Sequence, residues 1–216
     1  SHISIVNYDT NSSYETIPIS RNQPFYPDLE QQEGIRHIQT YAIKAGIIKT
    51  GDEMHGVILK GIDQRFDWSF FRKNLVKGHT FSLDSAKKSN QVLISRDIAS
   101  LLKLDTTDHI VMYFIQNPPR VRKFSIAGIY DTGLAEYDKR YVIGDLRHIQ
   151  KLNDWQPDQI TGFEVLIDDF DELEPMREEV FDKAGSFFTE DDTRLKVRTI
   201  KDVNPQIFDW LKLTDA

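Results

Sequence analysis

Residues 91–115, QVLISRDIASLLKLDTTDHIVMYFI, decide the fold. A β-strand pattern ends at Ser95, whose hydroxyl can accept a hydrogen bond from a free N–H of a following helix. Three apolar residues are spaced to share one face of that helix: Ile98, Leu101 and Leu102. A polar DTTD turn follows, and the β-branched and aromatic run 109–115 predicts a second strand. The stretch therefore predicts strand, capped helix, turn and strand.

A β-hairpin continues from this stretch. Its turn is Asn117-Pro118-Pro119-Arg120, and residues 123–130 form the returning strand. Two consecutive prolines stiffen the tip and remove two backbone donors. The tip is also basic, on an acidic background, and lies on a loop, where binding residues are frequent. We treat it as the best candidate for an interaction site, with an ordinary hairpin turn as the alternative.

Two further helices are predicted beside the hairpin. After a short strand at residues 141–143, Asp145 caps a helix that buries Leu146, Ile149 and Leu152. Earlier in the chain, Asp67 caps a helix that buries Trp68, Phe71 and Leu75 and ends at Gly78. The region between the two ends of the chain is therefore mixed.

The two ends of the chain repeat one pattern. The first runs from a strand at 2–7 through a short helix at 27–33 to a long β-stretch at 35–49 and a return strand at 56–62. The second has a strand at 162–167, a helix at 171–184, a strand at 195–200 and a last helix that starts at Asn204-Pro205. Two β-α-β units commonly form one split, ferredoxin-like layer.

The sequence thus predicts an α+β protein with two lobes. Residues 1–62 and 160–216 would form one porter-like subdomain from both ends of the chain. Residues 63–159 would form an inserted, β-rich, sabre-like subdomain.

Composition restricts the class of protein. The chain has 216 residues, 39% of them hydrophobic, so it can bury a core. Its net charge of −7 argues against nucleic acid, because phosphate binding needs clustered Lys and Arg. Without cysteine there are no disulfides, thiolate metal sites or cysteine nucleophiles. No apolar stretch approaches the ~18 residues of a transmembrane helix, and the abrupt ends predict that flanking segments were removed.

The search for chemical motifs predicts no catalytic, cofactor or metal site. The six histidines are scattered, and the acidic clusters at 168–172 and 190–192 lack the spacing of a calcium loop. Residues 46–51, GIIKTG, lack the Lys-Ser/Thr pair of a phosphate loop. No GxSxG nucleophile elbow is present. We therefore expect a protein that is not an enzyme.

Residues 65–73, RFDWSFFRK, mix basic and aromatic side chains. Such a mixture can stack single-stranded nucleic acid. The helical spacing of Trp68 and Phe71 favours core packing instead, which leaves Phe70 for an interdomain or partner surface.

The chain resembles the extracytoplasmic core domain of MacB-like, FtsX-like ABC transporter permeases. Within that family it is most similar to the LolC/LolE lipoprotein-releasing type, in a form typical of Bacteroidetes-like bacteria. The resemblance covers nearly the whole chain and depends on the order and spacing of seven segments: HISIVNYDTNSS, YAIKAGIIKT, GVILKGID, FFRKNLVKGH, the stretch 91–115, KFSIAGIYDTGLAEYDKRYVIGDLRHIQKLN and TGFEVLIDD.

The resemblance implies a membrane protein with several partners. One transmembrane helix would precede Ser1 and three would follow Ala216, with the helix from Asn204 leading into the second. The domain would lie in the periplasm as part of a bacterial inner-membrane permease, paired with a second permease subunit and a cytoplasmic ATPase. Changes driven by ATP would be transmitted to it mechanically.

The resemblance also suggests a partner-binding site. In lipoprotein-releasing permeases a long hairpin, the hook, recruits a periplasmic lipoprotein carrier. The hairpin tip at 116–123 occupies the corresponding place, although it is shorter. The residues carried over as partner-binding are Pro118, Pro119, Arg120 and Val121.

Two other functions stay open on the sequence. The domain could regulate an envelope enzyme by mechanotransmission, as an FtsX-like domain without cargo. It could also be a soluble extracytoplasmic module that binds an unknown ligand. A free-standing enzyme would need a convergent titratable cluster, for which the sequence offers no candidate.

Overall fold

The computed structural model describes residues 2–186 and 188–214. Its strands are β1 Ile3–Asn7, β2 Ile19–Ser20, β3 Ile35–Thr50, β4 Glu53–Ile62, β5 Leu75–Gly78, β6 Gln91–Ser95, β7 His109–Phe114, β8 Arg120–Tyr130, β9 Tyr141–Asp145, β10 Gln159–Ile160, β11 Gly162–Ile167 and β12 Leu195–Thr199. Its α-helices are α1 Ser69–Lys73, α2 Arg96–Leu102, α3 Ala135–Asp138, α4 Leu146–Leu152, α5 Leu173–Val180, α6 Ile200–Val203 and α7 Pro205–Thr214. The predicted α+β class is confirmed.

The chain divides into two compact units. Unit 1 comprises Ser1–Tyr41 and Trp155–Ala216, and unit 2 comprises Ala42–Asp154. Strand β3 runs through the first division, so its residues belong to both units. The predicted subdomains had other bounds, 1–62 with 160–216 and 63–159. The first boundary differs because β4 pairs with β9, which places β4 inside unit 2. The porter-like and sabre-like assignment stays a prediction.

Unit 1 is built on four antiparallel strands in the order β12-β1-β11-β3. Every residue of β1 is buried. The predicted helix 171–184 is divided into a 3₁₀ turn at Phe170–Glu172, α5, and a π-turn at Phe181–Gly185. Its four predicted core residues are nevertheless buried: Leu173, Met176, Val180 and Ala184.

Unit 2 mixes parallel and antiparallel pairing. Strand β9 is parallel to β4, β6 is parallel to β8, and β7 returns antiparallel as β8. Two of the three helix caps predicted in this unit are confirmed. The Ser95 Oγ accepts from the Ile98 N–H at 3.0 Å, and the Asp145 Oδ1 accepts from the Arg147 N–H at 2.9 Å. The third is wrong, because α1 begins after Trp68, and Asp67 instead accepts from the Ser69 N–H in the turn before the helix.

Two other predicted details of unit 2 are also wrong. Leu75 lies in strand β5, since α1 ends at Lys73. Leu101 is 49% exposed, and Ile98, Ala99 and Leu102 form the buried side of α2. At ~100° per residue, positions 98, 99 and 102 lie within one arc of about 100° around the helix, and position 101 lies outside that arc.

A strap, residues 79–90, joins β5 to β6 and is fastened to the start of α4. The Arg147 guanidinium donates to the carbonyls of Ser85, Ala86 and Lys87 at 2.8, 3.3 and 3.1 Å. The other side of that guanidinium forms an ion pair with the buried Asp145 carboxylate, at 2.7 Å, which also accepts from the Ser89 N–H at 2.8 Å. One buried carboxylate therefore organises a helix start and a long connection.

Candidate partner-binding site

The β7–β8 hairpin presents the predicted tip. Its strands pair in antiparallel register from His109 with Ser125 to Phe114 with Arg120, which leaves residues 115–119 as the loop. Pro118 and Pro119 are both exposed. The structure thus places Pro118, Pro119, Arg120 and Val121 at the turn of this hairpin, within unit 2. Their role in partner binding stays a prediction.

The hairpin carries apolar side chains on both faces. Alternate residues of a strand point to opposite faces. Met112, Phe114 and Phe124 are buried on the inner face. On the other face Tyr113 and Val121 are 40% and 45% exposed. A strand with apolar residues on both faces has a surface that a further layer could cover.

The exposed face continues onto the neighbouring strand. Tyr113 pairs with Val121 on β8 and with Ile47 on β3, so the three side chains form one row across three strands. Ile115, in the loop beside this row, is 80% exposed. We call these residues the outer face: Ile47, Tyr113, Ile115 and Val121, together with the exposed Lys49 and Lys123 at alternate strand positions.

The tip is fixed at its base by polar contacts. The Gln116 side-chain amide donates to the Leu152 carbonyl at 2.9 Å. Arg120 lies 3.9 Å from the Asp154 carboxylate, measured between Nη2 and Oδ2. Arg122 donates to the Val121 carbonyl at 2.9 Å, and partial burial and the Arg120 charge lower its pKa. Two guanidinium groups that repel each other favour a nearby anion.

Charge is distributed unequally between the two units. Residues 42–154 contain 18 of the 27 Lys and Arg residues but only 13 of the 34 Asp and Glu residues. The hairpin therefore belongs to a unit of net positive charge within an acidic chain. Such a field attracts acidic partners and accelerates their association at low ionic strength.

The other candidates from the sequence have structural roles. Trp68 and Phe71 pack with Phe66 and Phe81, as the helical spacing predicted, and Phe70 is 39% exposed. Residues 46–51 lie mostly within strand β3 rather than in a loop. Among residues 2–186 and 188–214, no three His, Cys, Asp or Glu side chains come together in a way that could hold a metal ion.

Sequence reasoning missed two buried ionisable groups. Burial raises the pKa of Asp138, whose carboxylate accepts from both the N–H and the hydroxyl of Thr132. Burial lowers the pKa of His148, whose Nε2 lies 2.7 Å from the Ser89 carbonyl. Both groups hold loops in unit 2. The His148 contact joins segments 59 residues apart, so no local pattern could have revealed it, whereas the Asp138 contact closes a loop of only six residues.

The outer face was also missed, although a signal was present. In the run HIVMYFI both alternate sets of residues contain large apolar side chains. A strand with one solvated face normally alternates apolar with polar residues. The departure from alternation at Tyr113 and Ile115 could have indicated an exposed apolar surface.

Comparison with known proteins gives matches in sequence and in fold. No family model matches the chain. Two curated relatives, the lipoprotein-releasing system transmembrane protein LolC from Xylella fastidiosa strains Temecula1 and 9a5c, are each 23% identical over 139 residues. The match covers 60% of this chain and 32% of each relative, so the chain corresponds to about a third of their length.

Two crystal structures have the same fold. The extracellular domain of the noncanonic ABC-type transporter YknZ from Gram-positive bacteria matches with a TM-score of 0.56 and 12% identity, over 91% of this chain and all of that one. The periplasmic region of MacB from Actinobacillus actinomycetemcomitans matches with a TM-score of 0.57 and 12% identity, over 95% of this chain and 91% of that one. No helix among the described residues is long and apolar enough to cross a bilayer. The resemblance predicted from the sequence is thus confirmed: the chain is similar to the permease LolC and has the fold of the extracytoplasmic domains of MacB-like ABC transporter permeases.

Proposed function

We propose that this chain is the periplasmic domain of a lipoprotein-releasing type of ABC transporter permease in a bacterial inner membrane. The full permease would act with a second permease subunit and a cytoplasmic ATPase, and would be anchored by membrane helices outside this sequence. The domain would bind a periplasmic lipoprotein carrier and transmit movement to it. Its two lobes would be a ferredoxin-like porter and a sabre.

The exposed hairpin is the observation that carries this proposal. Ile115 is 80% exposed, so its apolar side chain contributes little to the stability of the free protein. Covering an apolar side chain of this size contributes about 1.5–3 kcal/mol. The outer face adds Tyr113 and Val121 in the same row, and the similarity to LolC makes a lipoprotein carrier the preferred partner.

The positive charge of unit 2 fits this role. Lys49 and Lys123 lie on the outer face beside the apolar row, and Arg120 lies next to it in the tip. An acidic carrier surface would complement these charges. Rim charges of this kind mainly raise the association rate, whereas the apolar centre sets the dissociation rate. Binding should therefore weaken with salt, chiefly through slower association.

The proposal assigns no chemical step to the domain. Its perturbed ionisable groups serve structural contacts, since Asp138 holds Thr132 and His148 holds the strap. The work of the domain would be binding and movement.

The test is binding of the purified periplasmic lipoprotein carrier from the same organism to the 216-residue domain. Ile115→Asp places a charge in the centre of the proposed interface and should weaken binding at least tenfold. Leu101→Asp is the matched control, because Leu101 is also an exposed leucine-sized side chain of unit 2 but lies on α2. Equal binding by both variants, or none by the unaltered domain, would overturn the proposal.

A second candidate function is regulation of an envelope enzyme by mechanotransmission. The observation that favours it is the short loop of the hairpin, residues 115–119 only. A photo-crosslinker at Pro119 in the full permease would distinguish the two, since it would capture either the carrier or an envelope hydrolase.

A further inference from the structure

The C-terminal end of α4 contacts three segments that are distant in sequence. We call its three residues, Leu152, Asn153 and Asp154, the α4 end. Leu152 accepts from Gln116 at the hairpin tip, Asn153 accepts from Lys44 on β3, and Asp154 faces Arg120. All of these groups lie within unit 2.

The Lys44 contact is the most constrained. Lys44 is 2% exposed, and its ammonium group donates to the Asn153 Oδ1 at 2.7 Å. An ammonium group is buried at high cost unless it is hydrogen-bonded, so this geometry tolerates little displacement. Lys44 lies three residues beyond Tyr41, where the chain passes from unit 1 into unit 2.

The Gln116 contact serves as a cap. The last carbonyls of an α-helix have no partner inside the helix. The side-chain amide of Gln116 satisfies the Leu152 carbonyl at 2.9 Å, and so the hairpin loop caps α4. Where this helix ends therefore fixes where the tip lies.

The third contact lies at the second passage of the chain between the units. Asp154 is the last residue of unit 2, and its φ of 54° places it in the left-handed region. Its carboxylate is 3.9 Å from Arg120 and is 81% exposed, so the pair is weak. It nevertheless adds a contact between the tip and the residue at which the chain leaves the unit.

We infer that the α4 end is a coupling node: it joins the hairpin tip to both segments through which the chain enters and leaves unit 2. A displacement of either segment moves Asn153 or Asp154, and through Gln116 and Arg120 it moves the tip. Lys44 and Asn153 are positioning residues, since neither belongs to the outer face. For its effect on carrier binding, the inference rests on the proposed function; the coupling itself does not.

Hydrogen exchange of the 216-residue chain, resolved by mass spectrometry, tests the node. Asn153→Ala removes one acceptor of Lys44, and amides at residues 113–121 should then exchange about fivefold faster or more, although the substituted residue is remote in sequence. Gln116→Ala should in turn raise exchange at residues 42–46. Asp105→Asn is the control, because it alters an exposed hydrogen bond of the same 2.7 Å length, to Lys77, outside the node.

A purely local role gives a different result. Each variant would then raise exchange only around its own residue, and this outcome would overturn the inference. Asn153→Asp keeps an oxygen acceptor for Lys44 and should restore slow exchange at the tip. If Asn153→Ala unfolds the chain, the Gln116→Ala measurement decides alone, since Gln116 is partly exposed and its loss should be tolerated.

The exchange measurement and the carrier-binding measurement fail independently. If the carrier does not bind while exchange at the tip still responds to Asn153→Ala, the node stands and the proposed function falls. If Ile115→Asp abolishes binding while Asn153→Ala leaves exchange at the tip unchanged, the proposed function stands and the node falls.

Discussion

Unit 2 contains two strand–helix segments with the same plan and different surroundings. In both β6–α2 and β9–α4, a strand of five residues ends in a capping residue and a helix of seven residues follows. The cap of α2 is Ser95, a neutral hydroxyl that accepts one N–H of the helix. The cap of α4 is Asp145, a buried carboxylate that also binds Arg147 and the strap.

The difference extends along the whole of each helix. Helix α2 ends at Lys103 in a left-handed conformation, and Leu101 on its surface is half exposed. Helix α4 holds the strap at its first turn and the hairpin tip at its last. One local plan thus produces a helix that mainly packs, with polar contacts only at its start, and a helix that holds other segments at both of its ends.

Replacement of the α4 cap should give the largest effect. Asp145→Ala leaves Arg147 without its carboxylate and the strap without an anchor, and it should lower the free energy of unfolding by about 3–4 kcal/mol. Urea denaturation measures this. Asp97→Ala, in the exposed first turn of α2, is the control and should cost below about 0.5 kcal/mol. Similar losses for the two variants would contradict the assigned role of Asp145.

The packing side of α2 offers the next contrast. Leu102 is 4% exposed, and Leu102→Ala should cost about 3 kcal/mol of unfolding free energy by leaving a cavity. Leu101→Ala should cost below about 0.5 kcal/mol because that side chain is already half in water. Thermal unfolding of the two variants compares them directly. A larger loss of unfolding free energy for Leu101→Ala would mean that Leu101 packs in the core, as the sequence predicted.

Ser95→Ala should have a smaller effect than Asp145→Ala. It removes a helix cap and leaves the Asp138 carbonyl, which accepts from the Ser95 hydroxyl, without that donor. We expect a loss of about 1–2 kcal/mol in urea denaturation. A loss as large as that of Asp145→Ala would mean that the two caps are equivalent after all.

The smallest effect concerns pH, because α4 carries a titratable group where α2 has Ile98. Burial lowers the pKa of His148 below the usual 6.5, so the unfolded chain binds a proton more readily than the folded one. Stability from this group is therefore present above about pH 6.5 and is lost as the pH falls towards the lowered value.

His148→Gln keeps an amide donor for the Ser89 carbonyl and cannot titrate in this range. Its stability should decline less than that of the unaltered chain between pH 7 and pH 5, measured by urea denaturation at each pH. Burial lowers the pKa of His2 in unit 1 to about 3. His2 is present in both the unaltered chain and the variant, so its effect on stability cancels when the two are compared. An identical decline in stability for the two proteins would show that protonation of His148 does not destabilise the fold.

Much of this fold follows from local sequence patterns, and the exceptions have a common cause. Ser95, Asp145 and Asn204 were identifiable as caps because a cap depends on residues within one turn. Leu75 was misassigned because a strand partner, β8, competed with the helical pattern. The break of the helix after Val180 likewise left no local signature.

The candidate site was only half predictable. The prolines and Arg120 are conspicuous in the sequence, so the tip could be located. The outer face needed the pairing of Ile47 with Tyr113, which joins residues far apart in the chain. The α4 end depends on three such distant contacts, and side-chain pairing over these separations is decided by tertiary structure.

The origin of unit 1 in both ends of the chain has a consequence for biosynthesis. Strand β1 pairs with β11 and β12, whose residues are made about 160 to 200 residues later, as the pairing of Ile3 with Val165 and with Thr199 illustrates. At ~5–20 residues per second, a ribosome needs roughly 8–40 s to produce those partners. Unit 2, continuous from Ala42 to Asp154, can meanwhile fold as a finished whole. During that interval the apolar β1 segment is a natural target for chaperones, and premature release of the nascent chain would leave it unpaired.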